Sequence, residues 1–434
     1  MVSILSVMRC MAIVHALFAA TLASAAFAQA GKPDPEEMIA LLRAGNFAEL
    51  DARASRYQAA YAASSGAEWD LLRAFAVFER IDPDLEAPFD AWVAARPQSY
   101  SALVARGAYF YERGWSARGG RYAADTPSEH IGAMRRHLER AQRDFDASLK
   151  LSARPLLSHR YLIGIAMASG DKATARRFYD EALRGDPESY AARRAYLNAL
   201  RPEWGGSKAA MRALVDEMAA LAQTPKLRTV QARLKAGVLG WWGVDAHLAK
   251  DYPSALSIYT AALAEADDAI VLTNRGKALV QLGRLDEALR DFDRALALEP
   301  TLSEALEQRG NLRERQKHVK EAMDDYELAA VRGSRYAMQR LGIIYLNNVP
   351  KNYPEAAKWL QLGAEFGEHR AQNALGWMYS AGAGVPRDGR RALELWYASA
   401  AQGNQDAQKY LDDVAWYWRA RYTIETKIEE LWSK

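Results

Sequence analysis

Small, large apolar and polar side chains recur at fixed distances in the second half of the chain. Counted from Ala269, positions 8, 15, 20, 24, 27 and 32 hold Gly276, Gly283, Ala288, Phe292, Ala295 and Pro300. Counted from Ser303, positions 8, 20, 24 and 27 hold Gly310, Ala322, Tyr326 and Ala329. Small residues let two antiparallel helices approach closely, an aromatic ring fills the gap between them, and a proline ends the second helix. The pattern predicts helix pairs that stack in series and bury their apolar faces on one another.

This spacing is similar to that of the tetratricopeptide repeat, whose period is about 34 residues. A looser copy precedes the two units, with Gly243, Ala255, Tyr259 and Ala262 in the corresponding places. We therefore expect tetratricopeptide repeats over 236–333. The resemblance implies an all-α fold, a right-handed α-solenoid of antiparallel helix pairs.

The same resemblance indicates where partners would bind. In tetratricopeptide folds, partners lie along the concave face that the polar positions of the first helices form. The implied groove for protein or peptide partners consists of Thr273, Asn274, Lys277, Gln281, Glu307 and Asn311. Glu304 and Gln308 stand where a clamp for a terminal carboxylate would need basic residues, so we expect a mixed polar groove.

A second kind of repeat follows. The run Ala371-Gln372-Asn373-Ala374-Leu375-Gly376-Trp377-Met378-Tyr379, with Gly382-x-Gly384-Val385-Pro386 after it, resembles the Sel1-like repeat. A copy with a shorter loop begins at Ser334, so Sel1-like repeats are expected over 334–411. The aromatic and aliphatic residues of 412–434 recur at helical spacing and predict a capping helix for the last apolar face, with a dimer contact as the alternative.

The amino-terminal half contains weaker copies of the same pattern. Asp144-Phe145 repeats Asp291-Phe292, yet Gly114 and Ala141 are 27 residues apart where the corresponding Gly283 and Ala288 are 5 apart. We therefore predict a helical domain of degenerate repeats over 33–232, with an inserted loop over 115–137. This domain resembles a bacterial domain of unknown function, which implies no known activity. The likeness lies in Trp115-x-x-Arg118-Gly119 and Pro202-x-Trp204-Gly205-Gly206-Ser207.

The first residues have the composition of an export signal. Arg9 precedes an apolar run from Met11 to Ala23, and small residues continue through Ala30. We interpret residues 1–28 as a signal peptide cleaved after Ala28 or Ala30. A membrane anchor is the alternative, but the apolar run is shorter than the roughly 20 apolar residues that a bilayer needs. The expected location is the periplasm, with secretion as a further possibility. Cys10 is the only cysteine, so the mature chain would form no disulfide.

Charge and motifs favour binding over catalysis. The formal net charge is only +3, which gives no electrostatic reason to expect nucleic acid or an anionic membrane as a partner. The sequence lacks His-Glu-x-x-His, Gly-x-Ser-x-Gly and Gly-Lys-Ser/Thr motifs. We therefore expect no enzymatic activity, no cofactor and no metal, and a chain that binds or scaffolds partners in the cell envelope.

The predicted insertion is the best candidate for a second site. Trp115, Arg118, Arg121 and the more distant Trp204 combine aromatic rings with guanidinium groups, which suit a polar ligand with flat or anionic parts. The alternative is structural: Trp115 fills the core, the arginines face solvent, and Trp204 packs a turn whose Ser207 caps the next helix. The rival function is accordingly a receptor or enzyme for cell-wall material or a small polar ligand, acting through residues 112–122.

Overall fold

The computed structural model describes residues 35–119, 126–221, 224–347 and 351–414. Within these ranges the chain forms helices, turns and loops and contains no strand. The all-α class predicted from the sequence is confirmed, and the helices form the expected antiparallel pairs of an α-solenoid. The described residues divide into two compact units, an amino-terminal unit up to Thr301 and a carboxyl-terminal unit from Leu302.

Fourteen helices of the described chain lie in the amino-terminal unit. They are α1 (Pro35–Arg43), α2 (Phe47–Ala63), α3 (Glu68–Ala76), α4 (Glu86–Ala95), α5 (Tyr100–Arg118), α6 (Ser128–Ser148), α7 (Leu156–Ala168), α8 (Lys172–Gly185), α9 (Tyr190–Ala199), α10 (Lys208–Leu221), α11 (Pro225–Leu248), α12 (Tyr252–Glu265), α13 (Ala269–Gln281) and α14 (Leu285–Leu298). The carboxyl-terminal unit contains α15 (Ser303–Arg315), α16 (Val319–Ala330), α17 (Arg335–Asn347), α18 (Tyr353–Glu365), α19 (His369–Ala381) and α20 (Gly389–Ala400). Residues 405–414 are also helical.

A glycine of the first helix faces an aromatic ring of the second helix in four helix pairs. A Cβ atom added at Gly107 would lie 2.6 Å from the Phe145 ring, at Gly276 2.5 Å from Phe292, and at Gly310 2.8 Å from Tyr326, and one added at Gly243 would overlap Tyr259. Only a residue without a side chain permits this approach. The contact at Gly107 shows that α5 and α6 pack against each other in the same way as α13 and α14.

An arginine–aspartate pair lies beside three of these glycine–aromatic contacts. Each arginine precedes its glycine and each aspartate precedes its aromatic residue, and the two side chains form parallel hydrogen bonds of 2.6–3.0 Å. The pairs are Arg106 with Asp144, Arg275 with Asp291, and Arg309 with Asp325. Bidentate guanidinium–carboxylate bonds fix both distance and orientation, so they set the register of each helix pair. Asp144 and Asp291 belong to the sequence pattern described above, whereas Asp325 and the three arginines were not predicted.

The predicted inserted loop over 115–137 is much shorter in the structure. Helix α5 continues to Arg118 and α6 already begins at Ser128, so most of the extra residues lengthen the two helices. Met134, Leu138 and Ala141 recur every three or four residues on the buried face of α6. A Cβ atom added at Gly114 would lie 3.1 Å from the Leu138 side chain, so the close contact of the pair extends two turns beyond Gly107.

The two helix pairs of the carboxyl-terminal unit that resemble Sel1 repeats use the same packing rule. A Cβ at Gly376 would lie 2.6 Å from Trp396, and one at Gly342 would overlap Leu360. Beyond α20, Ala407 and Leu411 are buried against Trp396, and Tyr410 stacks on the same ring at 4.9 Å. The predicted capping helix over 412–434 lies outside the described residues from 415 onward, as does the predicted signal peptide.

Candidate functional site

Three of the four residues proposed for ligand binding come together in the amino-terminal unit. Trp115 and Arg118 occupy the last turn of α5, and Trp204 lies in a short 3-10 turn, Pro202–Trp204. The two indole rings meet edge to face with centroids 5.5 Å apart. The Arg118 guanidinium lies 5.0 Å from the Trp204 ring centre and 5.7 Å from that of Trp115. We call this the tryptophan–arginine cluster; Arg121 lies outside the described residues.

The turn that carries Trp204 depends on two glycines. Gly205 has φ +79°, a left-handed conformation that favours glycine, and a Cβ at Gly206 would overlap the Leu200 carbonyl. Ser207 follows and accepts a hydrogen bond of 3.0 Å from the Ala210 amide, which confirms the predicted helix cap. The motif therefore places the Trp204 ring against α5.

The electrostatics of the tryptophan–arginine cluster differ from those of the arginine–aspartate pairs. Arg118 forms no ion pair with any described carboxylate, and burial lowers its pKa below the usual range. Trp115 is partly buried, packs on the core and contacts Tyr111 with ring centroids 6.0 Å apart. The rings thus contribute to packing, whereas the Arg118 cation is stabilised by π faces and pairs with no carboxylate in the described parts of the chain.

Four of the residues predicted to form the partner groove lie on α13. Thr273 is fully buried, and its hydroxyl donates a 2.8 Å hydrogen bond to the Ala269 carbonyl, so it is unable to contact a partner. The prediction for Thr273 is wrong because its position faces the neighbouring helix. Asn274 and Lys277 are partly exposed and Gln281 is exposed, so these three side chains form a polar surface on α13.

The other two predicted groove residues lie in the carboxyl-terminal unit and join successive helix pairs. The Glu307 carboxylate accepts a hydrogen bond from the Ser334 hydroxyl. The Asn311 Oδ1 atom accepts bonds from the hydroxyls of Tyr326 at 2.8 Å and Tyr336 at 2.7 Å. Both side chains therefore have a structural role inside the unit, which their polar character alone did not reveal.

A pocket that sequence reasoning missed lies elsewhere in the amino-terminal unit. It measures about 190 Å³, and the side chains of Trp69, Arg73, Tyr190, Arg233 and Glu299 line it. These residues come from four separate segments and share no motif, so only folding brings them together. Across the described residues, no group of three or more acidic or histidine side chains is arranged to hold a metal ion. No helix in those ranges is long and apolar enough to cross a bilayer.

Three family models match separate parts of the chain. A domain of unknown function (DUF4034) matches residues 35–172, the tetratricopeptide repeat matches 269–302, and the Sel1 repeat matches 335–366 and 369–404. This chain carries tetratricopeptide and Sel1 repeats. The 269–302 match coincides with the unit whose spacing was counted from Ala269. Trp115 and Arg118 lie within the match to the domain of unknown function, and Trp204 lies beyond it.

The chain is similar to short stretches of two longer proteins. It is 36% identical over 83 residues to mouse sperm-associated antigen 1, covering 19% of this chain and 9% of that protein. It is 28% identical over 109 residues to a DnaJ homolog subfamily C member 7 homolog of Dictyostelium discoideum, covering 24% and 19% respectively. The matched stretches thus span less than a fifth of either relative.

Two solved structures are also similar. One is a Sel1 repeat protein from Oxalobacter formigenes, with 24% identity, 48% of this chain and 89% of that chain covered, and a TM-score of 0.39. The other is a protective antigen of uropathogenic Escherichia coli displaying an SLR fold, with 16% identity, coverage of 88% and 83%, and a TM-score of 0.37. Both TM-scores are low, so the fold assignment depends on the helix pairs and repeats of this chain itself.

Proposed function

We propose that this chain is exported to the periplasm and holds protein or peptide partners there without catalysing a reaction. Repeats of the tetratricopeptide and Sel1 types typically serve as scaffolds for protein interactions. The observation that carries the proposal is the polar surface of α13, where Asn274, Lys277 and Gln281 remain accessible while the glycine–aromatic contacts bury the opposite face of the helix.

This surface suits an extended polar segment of a partner. Amide and ammonium groups donate hydrogen bonds to backbone carbonyls, and the amide oxygens accept from backbone N–H groups. Partner recognition through many such bonds needs no deep cavity and no reactive group. It also agrees with the absence of enzymatic motifs from the sequence.

Capture of envelope proteins tests the proposal. The full chain would be expressed with a tag in a Gram-negative host, crosslinked in living cells and analysed by mass spectrometry of the captured proteins. We expect a reproducible set of proteins that the triple variant Asn274→Ala, Lys277→Ala and Gln281→Ala loses by tenfold or more. The matched control is Arg290→Ala, which replaces an exposed side chain on the second helix of the same repeat. Equal capture by the triple variant would reject this surface.

The tryptophan–arginine cluster supports a second candidate function, the binding of an anionic cell-wall fragment. The Arg118 cation, without a carboxylate partner among the described residues, is the specific observation that favours it. Titration with soluble peptidoglycan fragments should change the indole fluorescence of the protein. The change should disappear in Arg118→Gln and shrink in Trp204→Phe. A fluorescence response that Arg118→Gln retains would exclude the cluster as the site.

A further inference from the structure

The pocket of about 190 Å³ in the amino-terminal unit has features that packing alone does not explain. Trp69 and Arg73 reach it from α3, Tyr190 from the start of α9, Arg233 from α11, and Glu299 from the end of α14. The pocket therefore joins the degenerate amino-terminal helices to the last helix of the regular repeat. Its polar lining includes the Tyr190 hydroxyl, a cation stacked on aromatic rings and a carboxylate that accepts no hydrogen bond from a described residue.

Tyr190 provides the first feature. Its side chain is only 8% exposed, and its ring packs on Trp69 with centroids 5.3 Å apart. Its hydroxyl nevertheless forms no hydrogen bond with any described residue. Because Tyr190 lines the pocket, a molecule bound there can supply the missing partner.

Arg233 provides the second feature. Its guanidinium lies 4.8 Å from the Trp69 ring centre and 5.7 Å from that of Tyr190, so two aromatic faces hold it in place. Among the described residues it forms no ion pair. Arg73, one helical turn after Trp69, lines the same pocket and likewise forms none. A fixed guanidinium with free donors is suited to a carboxylate, which accepts two parallel bonds.

Glu299 provides the third feature. Burial raises the pKa of its carboxyl group, while the Arg194 charge lowers it. Arg194 forms an ion pair with Asp268 at 3.3 Å, and the neighbouring Asp267 pairs with Arg294 at 2.6 Å. Both aspartates are therefore compensated, whereas Glu299 forms no hydrogen bond or close ion pair among the described residues. A partly buried carboxylate without a hydrogen-bond donor attracts a cationic donor.

We propose that this pocket binds a free α-amino acid. The carboxylate of the ligand would pair with Arg233, and its ammonium group would donate hydrogen bonds to the Glu299 carboxylate and the Tyr190 hydroxyl oxygen. A ligand with only one of the two charges would leave either the arginine or the glutamate uncompensated. The volume also fits, because pockets for larger organic ligands usually measure about 300–1,000 Å³.

Calorimetric titration of the full chain with each of the twenty common L-α-amino acids tests this proposal. We expect saturable binding of at least one of them. Its N-acetyl derivative and its amide derivative, which lack the ammonium and the carboxylate respectively, should each bind at least tenfold more weakly. Failure of all twenty to bind, or equal binding of either derivative, would overturn the proposal.

Two conservative variants separate ligand binding from folding. Tyr190→Phe keeps the ring stack and removes only the hydroxyl, and Glu299→Gln keeps the shape and removes the charge. Each should weaken binding about tenfold while the melting temperature stays near that of the unchanged protein. Arg290→Gln, an exposed arginine outside this pocket, should bind normally. Unchanged affinity in Tyr190→Phe would overturn the proposal even if Glu299→Gln did not fold. Partner capture through α13 is measured separately, so the two proposals can fail independently.

Discussion

Gly276 illustrates at the residue scale why the repeat spacing can be read so directly. The position has no space for a side chain, because the Phe292 ring lies 2.5 Å from where a Cβ would stand. The same relation holds at Gly107 and Phe145, in a part of the chain where the repeat is otherwise hard to recognise. A small residue and an aromatic residue at matching positions therefore identify a helix pair even when the intervening sequence has diverged.

We predict that Gly276→Ala destabilises the protein although alanine favours helices. The added methyl group would overlap the Phe292 ring, and overpacking of this kind costs about 1–3 kcal/mol, which outweighs a gain of up to about 1 kcal/mol in helix propensity. Thermal and urea unfolding measure the effect. Gly185→Ala is the control, since a Cβ there meets no atom within 4 Å and should leave stability equal or higher. Equal stabilities of the two variants would contradict the packing argument.

Polar residues at the same scale were harder to interpret. Thr273, Glu307 and Asn311 have the composition of a binding surface, yet the structure uses them inside the fold. A polar side chain is compatible with a partner, a helix backbone or a neighbouring helix pair, and sequence gives no preference among these. Trp115 and Trp204 were grouped correctly because both stood beside arginine or glycine in unusual segments, although 89 residues separate them.

The arginine–aspartate pairs explain the register of whole elements. Arg106 also bonds to Asp90 on α4 at 2.9 Å, so one guanidinium joins the α5–α6 pair to the preceding helix. Asp144 is 7% exposed at its side chain, and burial raises its pKa while the hydrogen bonds from Arg106 lower it. The Arg106–Asp144 pair thus stabilises the packing of α5 on α6, two helices whose connection is longer than that between α13 and α14.

We predict that Arg106→Met destabilises the protein by about 3–5 kcal/mol at neutral pH, because it leaves the Asp144 charge buried without a partner. The double variant Arg106→Met, Asp144→Leu should recover most of that loss. In the single variant the folded-state pKa of Asp144 rises further above the unfolded value, so the folded state binds the proton more tightly. The deficit should therefore shrink as pH falls below that pKa and grow as pH rises through it.

Urea unfolding of both variants at several pH values measures these effects. Arg176→Met, which breaks an exposed pair with Asp180 on the surface of α8, is the control and should change stability by no more than about 1 kcal/mol. A pH-independent deficit in Arg106→Met would show that lost packing, and not the uncompensated carboxylate, causes the destabilisation.

The whole molecule combines two kinds of repeat with a domain of unknown function. Its amino-terminal unit contains the match to the domain of unknown function, the tetratricopeptide repeat and both candidate ligand sites. The carboxyl-terminal unit contains the Sel1 repeats. If partner proteins and a small ligand both bind this unit, the ligand can change the affinity for the partner, provided that it binds the partner-free and partner-bound states with different affinities.

For the whole molecule, we predict that the amino-terminal signal peptide is removed during export. The protein isolated from the periplasmic fraction of a Gram-negative host should begin at Gln29 or Gly31, as determined by amino-terminal sequencing or intact mass. Leu17→Arg, which interrupts the apolar run, should leave the full-length chain in the cytoplasm. An uncleaved chain in the membrane fraction would instead support the alternative of an anchor.

The sequence alone determined the repeat architecture, because close packing of helix pairs imposes residue size at fixed positions and therefore leaves a periodic record. The absence of the common catalytic motifs could also be established from the sequence, because the residues of such motifs lie close together in the chain. The tertiary structure alone decided how polar side chains are used, from buried Thr273 to the pocket around Tyr190, Arg233 and Glu299. The pocket brings together residues up to 230 positions apart, from Trp69 to Glu299, and no local pattern encodes this arrangement. The extension of α5 and α6 into the predicted insertion from either side was likewise decided by the apolar surface that the two helices bury together.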